Sequence, residues 1–191
     1  FDREFAISKF DLNNVLPNPA IFDTTKLLWM NGQYIRNIEE DKFSKLAIQK
    51  ITTDITRDLF NSELERLHKI LPSVQERIET LNDLTPQIKF LLDEPFIIDQ
   101  TDWENVNSED GQQYLFRIRE KFKNLEKFSL ENIENLMREE LKDMEIKPKV
   151  GFQITRVSIT GTKISPPLFE SIYALGKEGT IARLAETIEK L

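Results

Sequence analysis

Arg156 stands just before the turn signal Thr160-Gly161-Thr162, and Phe169 stands just after a second one, Ser165-Pro166-Pro167. A guanidinium offers five N–H donors in a rigid fork, and a phenyl ring offers a flat apolar face. Set on either side of short polar turns, the two can together hold an unstacked nucleotide. The stretch from Val150 to Leu184 that carries them is locally basic inside an acidic chain. Taken as pattern alone, it also reads as a helix–turn–helix with a packed core. Val150 to Gly161 is rich in β-branched residues, which by itself predicts a strand. After Pro166 the pattern turns helical, with Leu168, Ile172 and Leu175 on one face and proline in a first-turn position.

Other chemistry is missing from the chain. It has no Gly-rich loop to cradle phosphate, no carboxylate pair in a catalytic context and no Ser/His/Asp set. With no cysteine and one histidine, His68, it lacks the ligands of a transition-metal site and cannot form a disulfide. A cysteine-free chain agrees with a cytoplasmic location. No apolar run is long enough to span a bilayer, and no basic-then-apolar leader opens the chain. The first residue is Phe1, in a pattern that already reads as helical (Phe1, Phe5, Ile7, Phe10), as in a piece of a longer protein.

A net charge of −7 over 191 residues argues against a general nucleic-acid binder. The charge is unevenly spread. Residues 1–36 hold four basic and four acidic side chains, residues 37–146 hold 15 and 25, and residues 147–191 hold seven and four. The acidic excess is confined to the middle, so a phosphate-facing surface built from both ends remains open.

The elements that must position these groups read as helices. Pro17-Asn18-Pro19 breaks the opening segment. Asp23 is a natural N-cap for a short helix that Asn31-Gly32 would close. Phe43, Leu46, Ala47 and Ile51 follow at helical spacing. Ser62 caps a helix whose apolar face is Leu64, Leu67, Ile70 and Leu71, and Pro72 breaks or restarts it. Residues 93–103 are acidic, contain Pro95 and read as a linker at a domain boundary. Gln112–Phe128 is an amphipathic helix with Tyr114, Leu115, Ile118, Phe122 and Leu125 inward. Ser129 caps the next, with Leu130, Ile133, Leu136 and Leu141 inward, and Lys147-Pro148-Lys149 closes it.

Three blocks resemble the C-terminal region of bacterial-type glutamyl-tRNA synthetases, in the family's order. They are Pro19–Asp23 with KLLWMNGQYIR from Lys26 to Arg36, VQERIETL from Val74 to Leu81, and TRVSITGTKISPPLFESIYALGKEGTIARL from Thr155 to Leu184. The resemblance implies an all-α fold. It comprises the end of a stem-contact domain (1–41) and two helical anticodon-binding subdomains (42–99 and 100–191). It also turns the strand expected before Gly161 into a helix.

By the same resemblance, Lys26, Trp29, Arg36, Arg77, Gln153, Arg156, Ser165, Pro166, Leu168 and Phe169 are the tRNA-binding residues. Lysine and arginine suit phosphate, and an indole offers a flat face and one donor. At Arg77 the family's discriminating members read the third anticodon base, a cytosine, whose acceptor edge a planar fork can reach. The partner implied is the tRNA for glutamate, through its anticodon loop and stem, with no DNA or membrane. The parent would be a monomer that uses ATP with magnesium, and this part would hold neither. Lys42-Phe43-Ser44-Lys45-Leu46 imitates the "KMSKS"-type ATP loop but follows the WMNGQYIR block instead of preceding it, so it reads as a solvated helix face. The chain departs from the family at Thr155 and at Gly179, where an arginine is usual. Three alternatives stay open: a helical protein-interaction module without an RNA role, a synthetase that also charges the glutamine tRNA, and a relaxed, duplicate synthetase that prefers a different tRNA.

Overall fold

Asp23 accepts a hydrogen bond from the Lys26 backbone N–H at 3.0 Å and so starts a helix of 13 residues, Thr24–Arg36. In the computed structural model of the chain, residues 3–15 and 22–190 are described. Phe1 and the break expected at Pro17-Asn18-Pro19 lie outside them. The described residues form ten α-helices and no strand, as the all-α reading expects. They are α1 (Arg3–Lys9), α2 (Thr24–Arg36), α3 (Glu40–Ile55), α4 (Asn61–Gln75), α5 (Leu84–Ile88), α6 (Gln100–Val106), α7 (Glu109–Asn124), α8 (Leu130–Asp143), α9 (Pro148–Thr160) and α10 (Leu168–Ile188). Among the described residues, no helix is long and apolar enough to cross a membrane.

Several local expectations are corrected by tertiary contacts. Gly32 does not close α2. It is buried inside the helix, and a Cβ there would lie 3.1 Å from the Arg36 guanidinium and 3.3 Å from the Ile78 carbonyl oxygen. The glycine serves close packing of α2 on the segment after α4. That junction is fixed by the buried Gln75 amide, which donates to the carbonyls of Ile35 (2.9 Å) and Ile38 (2.8 Å). Pro72 lies inside α4 without ending it. Its side is exposed, and the apolar face of Leu67, Ile70, Leu71 and Val74 is buried regardless.

At the start of α4, Ser62 is not the cap. The Glu63 carboxylate turns back to the Phe60 N–H, as an N3 acid does in a capping box. The segment read as a linker over 93–103 is irregular only to Asp99. That residue caps α6 by accepting from the Asp102 N–H at 2.8 Å.

The chain from Val150 to Gly161, strand-like by composition, is the helix α9. Pro148 starts it and Gly161 ends it at φ +83°. Lys147-Pro148-Lys149 therefore opens α9, and α8 ends earlier, at Asp143. Helix α7 ends at Asn124, before the expected Phe128. Leu125 is its C-cap, and Phe128 lies 5.9 Å from Phe122 in an edge-to-face contact. Leu130 is exposed, and Met137 instead shares the inward stripe of α8.

Helix α10 packs against α4, α7, α8 and α9. The buried apolar residues form one cluster from Ile35 to Leu184, so α10 ties the two halves of the chain together. Helix α10 has one break, at Gly176, where φ is +82°.

Candidate nucleic-acid interface

Helix α9 divides its residues by face. Ile154, Thr155, Val157 and Ser158 are buried, while Phe152, Gln153 and Arg156 share the opposite side. Arg156 is fixed by one nitrogen. Its Nη1 donates to the Ser165 hydroxyl and to the Pro166 carbonyl oxygen at 2.6 Å. Its Nε and Nη2 have no partner among the described residues, and neither is shut away from solvent. Burial and the nearby positive charge of Arg77 lower the proton affinity of this guanidinium, and Glu170 partly offsets them. It stays charged, because arginine does not lose its proton in proteins.

Arg77 follows α4, held by a backbone bond from its N–H to the Val74 carbonyl. Its side chain is exposed and forms no ion pair among the described residues, though Glu76 and Glu79 are neighbours in sequence. Two arginines without an ion pair among the described residues are thus near enough for the charge of Arg77 to act on Arg156, one presented after α4 and one on α9. A surface arranged this way favours an anion or an acceptor-rich base edge.

An aromatic platform adjoins them. Phe152 and Phe169 meet edge to face at 5.4 Å, and the Arg138 guanidinium lies 5.3 Å from the first ring and 5.7 Å from the second. Glu134 holds Arg138 in place at 2.7 Å. Arg138 and Phe152 were not among the residues expected from sequence. Arg138 lies on α8, where the resemblance is weak, and its neighbours are distant in the chain. The only sequence signal is Phe152 beside Gln153.

The other expected residues divide. Lys26, Trp29 and Arg36 recur on one face of α2. Trp29 is 56% exposed, so it is not a core anchor. Arg36 bridges toward Arg77 by donating to the Glu76 carbonyl at 3.4 Å, and Asn31 reaches the Glu79 carbonyl from the same helix. Gln153 is exposed beside Arg156. Leu168 is only 6% exposed and packs in the core, and Pro166 is buried with its carbonyl occupied by Arg156. What these two supply is position. Of the two departures, Thr155 is buried and donates to the Gly151 carbonyl at 2.7 Å. At Gly179 a Cβ would meet the Leu175 side chain at 2.9 Å. Lys42 and Lys45 are exposed on α3, while Phe43 and Ala47 of the same helix are buried.

The turn that bears Ser165 is clamped from α6. Asp102 accepts from the Lys163 N–H at 2.7 Å and pairs with its ammonium at 3.0 Å, and the Asp99 N–H donates to the Gly161 carbonyl at 2.8 Å. These bonds to Lys163 hold the Asp102 carboxyl below its ordinary proton affinity.

An all-helical module with uncompensated arginines and an aromatic platform is the kind of surface that reads unpaired nucleotides. A family model described as an anticodon binding domain matches residues 42–188, and the chain belongs to that family. The glutamate–tRNA ligase of Cutibacterium acnes is 33% identical over 194 residues, covering 96% of this chain and 38% of that protein. That of Symbiobacterium thermophilum is 32% identical over 185 residues, again covering 96% of this chain and 38% of the relative. The chain thus spans little more than a third of these relatives. A crystal structure of a glutamate tRNA ligase from Elizabethkingia meningosepticum in complex with its amino acid matches with a TM-score of 0.81. Its identity is 22%, over 98% of this chain and 36% of that one, which shows a shared fold.

Proposed function

We propose that this chain is the anticodon-reading part of a glutamate–tRNA ligase and that it binds the anticodon loop and stem of the glutamate tRNA. The observation that carries the reading is the pair Arg77 and Arg156, two guanidinium groups near enough for the charge of Arg77 to act on Arg156 and neither in an ion pair among the described residues. Arg77 reads the third anticodon base. Arg156 and Gln153 bind the bases beside it, against the platform of Phe169. Ser165, Pro166 and Leu168 shape that pocket, and Lys26, Trp29 and Arg36 follow the anticodon arm along α2.

Base contacts supply the discrimination, and contacts to the backbone of the arm set the register. Residues 42–99 and 100–191 act as two subdomains joined through α4 and α10, after the end of a stem-contact domain at 1–41. Gripping one loop from two sides raises affinity through effective concentration. The parent enzyme joins glutamate to its tRNA through an adenylate made from ATP, works in the cytoplasm and is a monomer. Its ATP and magnesium belong to the catalytic half, since the one stretch here that imitates a nucleotide loop is an exposed face of α3.

The test is a titration of the protein with the glutamate tRNA at two salt concentrations. Micromolar or tighter binding that weakens steeply with salt supports the reading. Salt-independent binding, or none by the intact synthetase that carries this chain, favours a protein-interaction module instead.

A further inference from the structure

Beside the Arg77–Arg156 site lies a cavity of about 270 Å³, lined by the same Ser165 whose hydroxyl accepts from Arg156. It opens between the irregular segment before α6 and the turn after α9. Its walls include Gln87, Phe96, Ile97, Ile164 and Arg183. The volume falls just under the roughly 300–1,000 Å³ of small-molecule sites, which suits a single planar group.

Three observations indicate what that group is. First, the Arg183 guanidinium carbon lies over the Phe96 ring, 3.9 Å from its centroid, and the group forms one long hydrogen bond, to the Phe90 carbonyl at 3.5 Å. No carboxylate lies within ion-pair distance of it among the described residues. Its remaining donors are free, and burial lowers its proton affinity. Second, the Gln87 amide, which both donates and accepts, has no partner among the described residues. Third, Ile97 and Ile164 stand at the mouth, 77% and 83% exposed. Large aliphatic side chains left in water beside a cavity are suited to contact an apolar face such as that of a base. Charge at the rim is balanced, since Lys89 pairs with Glu94 at 3.7 Å.

A planar stacking surface, a free guanidinium, a free amide and an apolar rim match a nucleobase, with its flat face and its mixed donor and acceptor edge. We infer that this cavity takes one further unstacked base of the anticodon loop, next to those held at Arg156. Gln87 and Arg183 read its edge, and Ile97 and Ile164 cover its face. The inference rests on the anticodon-reading proposal, and the shared Ser165 gives the continuity between the two sites.

The test uses a set of glutamate anticodon-arm RNAs, each with one loop nucleotide made abasic. They are titrated against the protein and its Gln87→Leu and Arg183→Met variants, with melting curves to check folding. Gln87→Leu keeps the test sound even if Arg183→Met unfolds the chain, because the Gln87 amide has no partner among the described residues.

The expected result is one position outside the anticodon triplet where loss of the base weakens wild-type binding roughly five- to hundredfold. The same RNA loses little more in Gln87→Leu, so the two losses do not multiply. If every such position is tolerated, or the losses multiply, the inference is overturned while the anticodon reading stands. If the protein binds none of the RNAs, the anticodon reading fails first. A free mononucleotide that saturates the protein, loses binding in Gln87→Leu and shows no coupling to any RNA position would also overturn the inference.

Discussion

Arg156 sits part-buried with the positive charge of Arg77 near it: burial first, and that charge second, lower its proton affinity, and Glu170 leans the other way. Like charges held together without a ligand cost the free protein stability. Arg77→Gln should therefore leave the melting temperature unchanged or raise it slightly at low salt, by a few tenths of a kcal/mol, while weakening RNA binding. A clear drop in melting temperature would show that Arg77 holds the fold together.

Glu63 has a fully buried side chain that takes a bidentate contact from Arg57 at 2.7 and 2.9 Å, with further N–H donors from Phe60 and Asp93. The Arg57 contact foremost, helped by those backbone donors, lowers its carboxyl from an ordinary value of 4.5 to about 2. A depressed carboxyl contributes stability that is complete above its ordinary value and is lost as pH falls toward its folded value. Denaturant melts should therefore show a loss between about pH 4.5 and 2 that Glu63→Gln flattens. At neutral pH Arg57→Ala should destabilise the fold by clearly more than the loss of a surface pair does, because it strands a buried carboxylate. A cost below about 0.5 kcal/mol, the level of a surface pair, would contradict this.

Gly161 ends α9 at φ +83°, and a Cβ there would sit 2.4 Å from the Ile97 carbonyl oxygen. Gly161→Ala combines left-handed strain with a backbone clash, so it should destabilise by roughly 2 kcal/mol or more. It should also loosen the Ser165 turn. Thermal melts and RNA titrations of the one variant read both effects, and an unchanged melting temperature would refute the packing described here.

The same glycine shows what was legible in the sequence. Thr160-Gly161 was readable as an end, as Asp23 and Ser129 were readable as beginnings, because caps are local chemistry. The inward stripe of Tyr114, Leu115, Ile118 and Phe122 was legible for a similar reason, since periodicity records burial. Gly32 and Pro72 misled because the first answers to Arg36 and Ile78 across the fold, and the second is carried by a helix whose other side is well buried. Composition misread α9, whose β-branched residues pack in the core as a helix. Of the candidate site, the residues in the resembling blocks could be named in advance. Arg138 and Phe152 could not, because their meeting with Phe169 exists only once α8, α9 and α10 have packed.

Arg138 makes a direct test of that platform. Its side chain is exposed and is fixed by Glu134 and by the rings of Phe152 and Phe169. Arg138→Ala should change stability by less than about 0.5 kcal/mol, as at most surface sites. It should weaken RNA binding by roughly 0.5–1 kcal/mol, the scale of a cation–π contact at an exposed site. Unchanged RNA affinity with a folded protein would remove Arg138 from the interface.

If Arg77 reads a base, a binding titration with the glutamate tRNA and a copy altered only at the third anticodon base, for wild type and Arg77→Gln, will show it. Wild type should prefer the native anticodon roughly tenfold to hundredfold, the worth of one lost hydrogen bond of about 1–3 kcal/mol. That preference should disappear in the variant, with binding to the altered tRNA little changed. Equal affinity of the wild type for both tRNAs, or a preference that survives Arg77→Gln, would contradict it.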